Sequence, residues 1–162
     1  MTAPYQALAQ RIRSEISDLD RTVAAIDRHW HRVVEASSDQ DAYQNSVALN
    51  LHSFYSGLER ILELVALELD GGTLGGDAWH SELLRQMTLD LVGTRPPVLA
   101  RQTAVRLDDY RKFRHRIRNI YATNLDPERM KPLVMALPNL WAQVRRELAD
   151  FAGFLEQLLE PD

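Results

Sequence analysis

Residues 111–118 read RKFRHRIR and bring Arg111, Lys112, Arg114, Arg116 and Arg118 into eight positions, with no acidic residue between Asp109 and Asp126. Arg111, Arg114, Arg118 and Tyr121 recur at intervals of three, four and three, the spacing of one row along a helix. Tyr110, Phe113, Ile117 and Ile120 keep the same rhythm one residue earlier, so the cationic row borders an apolar stripe. Solvated helices usually alternate charge signs, and like charges at this spacing repel by a few tenths of a kcal/mol per pair. An anion is expected to compensate them, either phosphate groups or carboxylates of another chain. His115 stands beside Arg114, one turn before Arg118 and Asn119, and adds an imidazole, a group that titrates near neutral pH. A solvated basic face is the plainer alternative.

The elements that must hold this row read as helices throughout. Ile12, Ile16, Leu19, Val23, Ile26, Trp30 and Val33 form a heptad seam that no strand produces. The chain breaks at SSDQD, where Ser37, Ser38 and Asp39 suit a cap. A second helix carries Val47, Leu51, Phe54, Leu58, Ile61, Val65 and Leu69, and Asp70-Gly71-Gly72 ends it. The spacing predicts a short third helix over 78–91 capped by Asp77, and the prolines of Gly93-Thr94-Arg95-Pro96-Pro97 stop it. A fourth helix is expected over 99–123. Asp126 and Pro127 then start a fifth, in which Pro132 and Pro138 fit only near the start or at a kink. The expected class is all-α, an up-and-down bundle of four to five helices forming one domain over 1–162.

Composition narrows the function further. The chain has 162 residues, 45% hydrophobic, and no cysteine, which excludes disulfide scaffolds, thiolate zinc sites and a cysteine nucleophile. No apolar run reaches the roughly 18 residues of a membrane span, and the N-terminus has no signal-peptide core, so cytoplasmic residence without membrane contact is expected. The net charge is −4, so the basic segment is a local feature on an acidic body, the pattern of a localised anion site.

The segment LDDYRKFRHRIRNIYATNLDPERM resembles the signature helix of the HEPN superfamily, in its HepT-like branch, whose motif is R-x-x-x-x-H-x-Y. Arg114 matches the arginine, His115 the polar residue that often follows it, and Tyr121 the tyrosine, whereas Asn119 stands where the histidine belongs. NLHSFYSGLERILELVALELDGG and DAWHSELLRQM resemble the same branch, so the likeness runs from about Val47 to Leu140. It implies a two-fold homodimer with facing signature helices, and a metal-independent endoribonuclease toxin. It also implies a minimal nucleotidyltransferase antitoxin that transfers AMP to the motif tyrosine, here Tyr121.

Carried over, Arg114 binds the scissile phosphate, His115 supplies or assists acid–base work and Asn119 positions the RNA substrate. Arg111 and Arg118 add phosphate contacts. Cutting RNA through its own 2′-hydroxyl requires a base, an acid and cationic help at the phosphate. Asparagine does not titrate, so Asn119 is not the base. The alternative is a degenerate subunit that binds the nucleotidyltransferase or RNA without cutting, or a helical adaptor whose basic stripe meets an acidic partner.

Other polar residues carry plainer expectations. His29 and His31 diverge by about 200° on a helix and do not share a metal. His52 is expected to make a core hydrogen bond, Glu59 and Arg60 an ion pair (or a place in the groove if the second helix packs on the fourth), and Trp79-His80 to pin the short helix. GGTLGG lacks the lysine of a phosphate-cradling loop and reads as a connector. No metal or organic cofactor is indicated.

Overall fold

A computed structural model describes residues 3–72, 75–118 and 125–158. Five helices follow in order: α1 (Ala3–Glu35), α2 (Gln40–Leu69), α3 (Trp79–Gln86), α4 (Arg101–Ile117) and α5 (Pro127–Gln157). Among the described residues the nearest thing to a strand is an isolated bridge between Leu91 and Arg95. The protein is an all-α bundle. No described helix is long and apolar enough to cross a membrane.

The seam of α1 closes inside the chain. Ile12, Ile16, Leu19, Ile26, Trp30 and Val33 are buried, and α1 packs on α2 and α5. Asp20 of α1 fastens this contact by accepting from the Trp141 indole N–H at 2.8 Å and pairing with Arg145 at 3.1 Å. Behind α1, α2 buries Leu51, Phe54, Leu58, Ile61, Leu62 and Val65 completely, the central wall against which α4 rests.

Helix boundaries follow local chemistry where the chain is left to itself. Gly71 at φ 91° leaves α2 through the left-handed region, and the Gly72 N–H donates back to the Ala66 carbonyl at 3.0 Å. Asp126 caps α5, its Oδ1 accepting the Glu128 N–H at 3.0 Å, with Pro127 at the first position. Pro132 and Pro138 sit inside α5 without interrupting it. Asp39 occupies the N-cap of α2 at φ 59°, yet its side chain makes no capping bond.

Two expectations fail. Ala78, not Asp77, is the N-cap of α3, and α3 ends at Gln86 rather than near residue 91. The cause of the early end is tertiary. Arg95, only 3% exposed, donates Nε to Asp70 Oδ1 and Nη2 to Asp70 Oδ2, both at 2.7 Å. Its remaining N–H groups reach the carbonyls of Gln86, Leu89 and Pro96, and Gln86 also donates to Asp70 at 2.7 Å. A buried guanidinium needs all these acceptors, and only a chain turning back over 87–99 supplies them. The Met87 carbonyl accepts from Val98 and Leu99 in the same turn.

α4 starts at Arg101, where Glu147 of α5 acts as its cap. One carboxylate oxygen takes the Ala100 N–H at 2.5 Å and the other the Thr103 hydroxyl at 2.7 Å. The last turn of α4 is rich in basic residues: Arg114, His115 and Arg116.

Candidate functional site

The basic row on α4 divides by burial. Arg111 is half-buried, Arg114 is only 4% exposed, and Arg118, His115 and Arg116 are exposed. The apolar stripe behaves as its spacing predicts, with Tyr110 and Phe113 buried and Ile117 packed against the core. Asn119 and Tyr121 lie outside the described residues.

The anion that compensates Arg114 belongs to the same chain. On α2, His52, Ser56, Glu59 and Glu63 run at intervals of four, three and four, a polar line beside the apolar wall. Arg114 turns toward it. Its Nη2 donates to Glu59 Oε2 at 3.0 Å, and Nη1 reaches the Ser56 hydroxyl at 3.3 Å. Glu59 is 5% exposed, so a full ion pair is held in the interior. The Arg114 guanidinium also lies over the Tyr55 ring, 4.7 Å from its centroid, which replaces lost water with the ring's negative face. The Tyr55 hydroxyl finds no hydrogen-bond partner among the described residues, and burial, seconded by Glu59, pushes its pKa up.

His80 of α3 completes the cluster. Its Nδ1 is 2.8 Å from Glu59 Oε2 and 3.2 Å from Arg114 Nη2. One nitrogen does not donate to the first and accept from the second at once. The shorter, charge-assisted contact decides: Nδ1–H donates to Glu59. Trp79 stacks on the imidazole with ring centroids 3.6 Å apart. The His80 side chain keeps 27% of its surface exposed. Nδ1 is turned to a buried carboxylate and one face of the ring lies against Trp79.

His52 sits half-buried toward the other end of the line, without a hydrogen bond among the described residues. Burial lowers its pKa first, and the charges of Arg114 and Arg118 lower it further. The folded chain therefore prefers neutral His52. This contribution to stability is complete above the unfolded value near 6.5 and is lost as pH falls below it. Wild type is expected to lose more stability than His52→Gln between about pH 7 and pH 5, read by urea denaturation at both. Equal losses would refute this coupling.

The remaining residues have simpler surroundings. Asp108, one turn before Arg111, accepts from its Nε at 2.5 Å and from Lys112 at 3.3 Å, so the head of the basic row is neutralised locally. His29 meets Ser46 at 2.5 Å while the exposed His31 bonds the Asp27 carbonyl. A cleft of about 600 Å³ between α3 and α4 is lined by Arg85, Leu89, Arg101, Val105 and Asp108, among others, and includes neither Arg114 nor Glu59. Among the described residues, no group of three or more His, Asp or Glu side chains is arranged to hold a metal ion.

The structure thus unites Arg114 with Glu59, for which the sequence offered an ion pair or a place in the groove, and with His80, expected only to pack. The ion pair expected of Glu59 is present, and its partner is the motif arginine. His80 does join α3 to the bundle, through a carboxylate bond as well as packing. The visible signal was the 4-3-4 spacing of the α2 polar line, which mirrors the α4 row. Arg114 and His115 diverge within one chain, the first buried and the second at the surface.

No curated protein and no solved structure matches the chain. A family model described as "HepT-like protein" matches residues 46–155, which takes in α3, α4 and nearly all of α2 and α5, with every member of the buried cluster. With well over half of its length matched, the chain belongs to the HepT-like protein family.

Proposed function

We propose that this protein is a HepT-like endoribonuclease toxin, acting on RNA in a cleft completed by a second copy and restrained by a minimal nucleotidyltransferase. Arg114 is the cation at the scissile phosphate. Its 3.3 Å contact with Ser56 is the longest it makes and the one a phosphate oxygen would replace. Arg111 and Arg118 extend the track for the RNA backbone, and Asn119 holds substrate by hydrogen bonds. His115, at the surface of one copy, assists proton transfer in the cleft of the other. Tyr121 accepts AMP from ATP, with release of pyrophosphate, and the added group blocks the cleft.

The observation that carries this reading is the buried Arg114–Glu59–His80 cluster on the family's own segment. Unlike the buried Arg95–Asp70 pair, the Arg114–Glu59 pair has a partly exposed imidazole beside it and includes the arginine that matches the family motif.

Purified full-length protein is expected to cut single-stranded RNA in EDTA, and Arg114→Lys to lose most of that activity. Lysine keeps a charge for Glu59 but not the planar fork, which separates chemistry from folding. Equal trace cutting by wild type and Arg114→Lys ends the cleavage reading. Incubation with a partner nucleotidyltransferase and ATP should add one AMP to Tyr121, and mass on another residue overturns that assignment.

The divergence of Arg114 from His115, with a non-titrating Asn119, favours a second reading: a subunit that binds RNA or the nucleotidyltransferase without cutting. It predicts salt-sensitive RNA binding with no product.

A further inference from the structure

The cleavage reading leaves one role empty. A base must take the 2′-hydroxyl proton, and Asn119 does not titrate. The described chain offers three imidazoles near the basic row. His115 is exposed on the side of α4 away from the buried Arg114. His52 has no hydrogen bond among the described residues to fix its tautomer or ring direction. His80 is held on one side by a buried carboxylate and on its face by an indole, and its side chain is still partly exposed.

We propose that His80 is the general base of this site and Glu59 its positioning residue. The inference rests on the cleavage reading above. An imidazole that donates Nδ1–H to a carboxylate is fixed in the tautomer whose Nε2 accepts a proton, and the carboxylate stabilises the imidazolium once formed. In the reaction, Nε2 takes the 2′-hydroxyl proton as the 2′ oxygen bonds to phosphorus. The bond from phosphorus to the 5′ oxygen breaks, and that oxygen leaves with a proton from water or from His115 of the second copy. The products are a 2′,3′-cyclic phosphate and a 5′-hydroxyl, and the imidazolium returns its proton to water.

The charges facing His80 suit this cycle. His80 faces Glu59 and Glu63 of α2 and Arg114 of α4, whose Nη2 lies 3.2 Å from Nδ1. Burial first, then Glu59, raises the Glu63 carboxyl, while His80 and Arg114 hold it down. Arg114 therefore has two effects in one position: it offsets the Glu59 charge and supplies the cation beside the developing phosphorane.

The test must separate a base from a residue that merely pins α3. Asparagine at 80 retains an amide N–H to donate to Glu59, so His80→Asn preserves the pin and removes the base. His80→Asn is expected to lower kcat for RNA cleavage about 10²–10⁴-fold with KM little changed, and to erase the acid limb of the pH profile. His80→Ala is expected to recover activity when free imidazole is added, which a packing role does not produce. Thermal unfolding of both variants checks that the fold is intact. If wild type cuts RNA and His80→Asn cuts at a similar rate with the same pH profile, the assignment of His80 is overturned and the cleavage reading stands. If wild type does not cut, both fall together.

Discussion

Asp70→Ala is expected to lower the free energy of unfolding by about 3–5 kcal/mol, the cost of removing one partner from a buried ion pair. The side chains of Arg95 and Asp70 are 0% and 1% exposed, so solvent screening offers no relief. Without Asp70, the Arg95 guanidinium keeps only main-chain acceptors for a full buried charge. Gln86 loses its acceptor as well. For a chain of this size the melting temperature should fall by about 10 °C. Asp70→Asn retains the shape without the charge and should fall between the two. Urea denaturation with melting curves reads the effect, and a loss below about 1 kcal/mol would show that the 87–99 turn does not depend on this pair.

The second large effect concerns the functional cluster. Arg114→Met strands Glu59 in the interior with only His80 for company, and about 3–5 kcal/mol of stability is expected to go. Replacing both, Glu59→Met with Arg114→Met, removes the uncompensated charge and should restore most of it. The double variant is then close to wild type in stability and inactive on RNA. That outcome separates what the cluster does for folding from what it does for chemistry. If the two losses simply add, the pair is not coupled and the argument from its burial fails.

What the sequence made legible was local. The α1 seam, the glycine stop after α2 and the Asp126-Pro127 start of α5 each depend on residues within a turn or two of one another, and all are present. α3 came out shorter because its end is set by Arg95, whose partner Asp70 lies 25 residues back. The site divided along the same line. Arg114 stood out through its neighbours in the row, but its carboxylate is 55 positions away and its imidazole 34. Periodicity identifies which face of a helix is polar; it does not say which polar face of another helix will meet it. That is why a carboxylate of the same chain, Glu59, was not foreseen as the anion beside Arg114. Glu59 sits among the most apolar positions of α2, between Leu58 and Ile61, and charge in such a setting is itself a request for a partner.

The crowding of cations at the end of α4 has one more consequence. Carbonyl groups at a helix C-terminus project about half a unit of negative charge, worth roughly 0.3–1 kcal/mol to each nearby cation. Arg114 and Arg116 stand in that last turn, so the backbone itself offsets part of their mutual repulsion. The basic end of α4 is therefore held in place by its own backbone before any anion arrives.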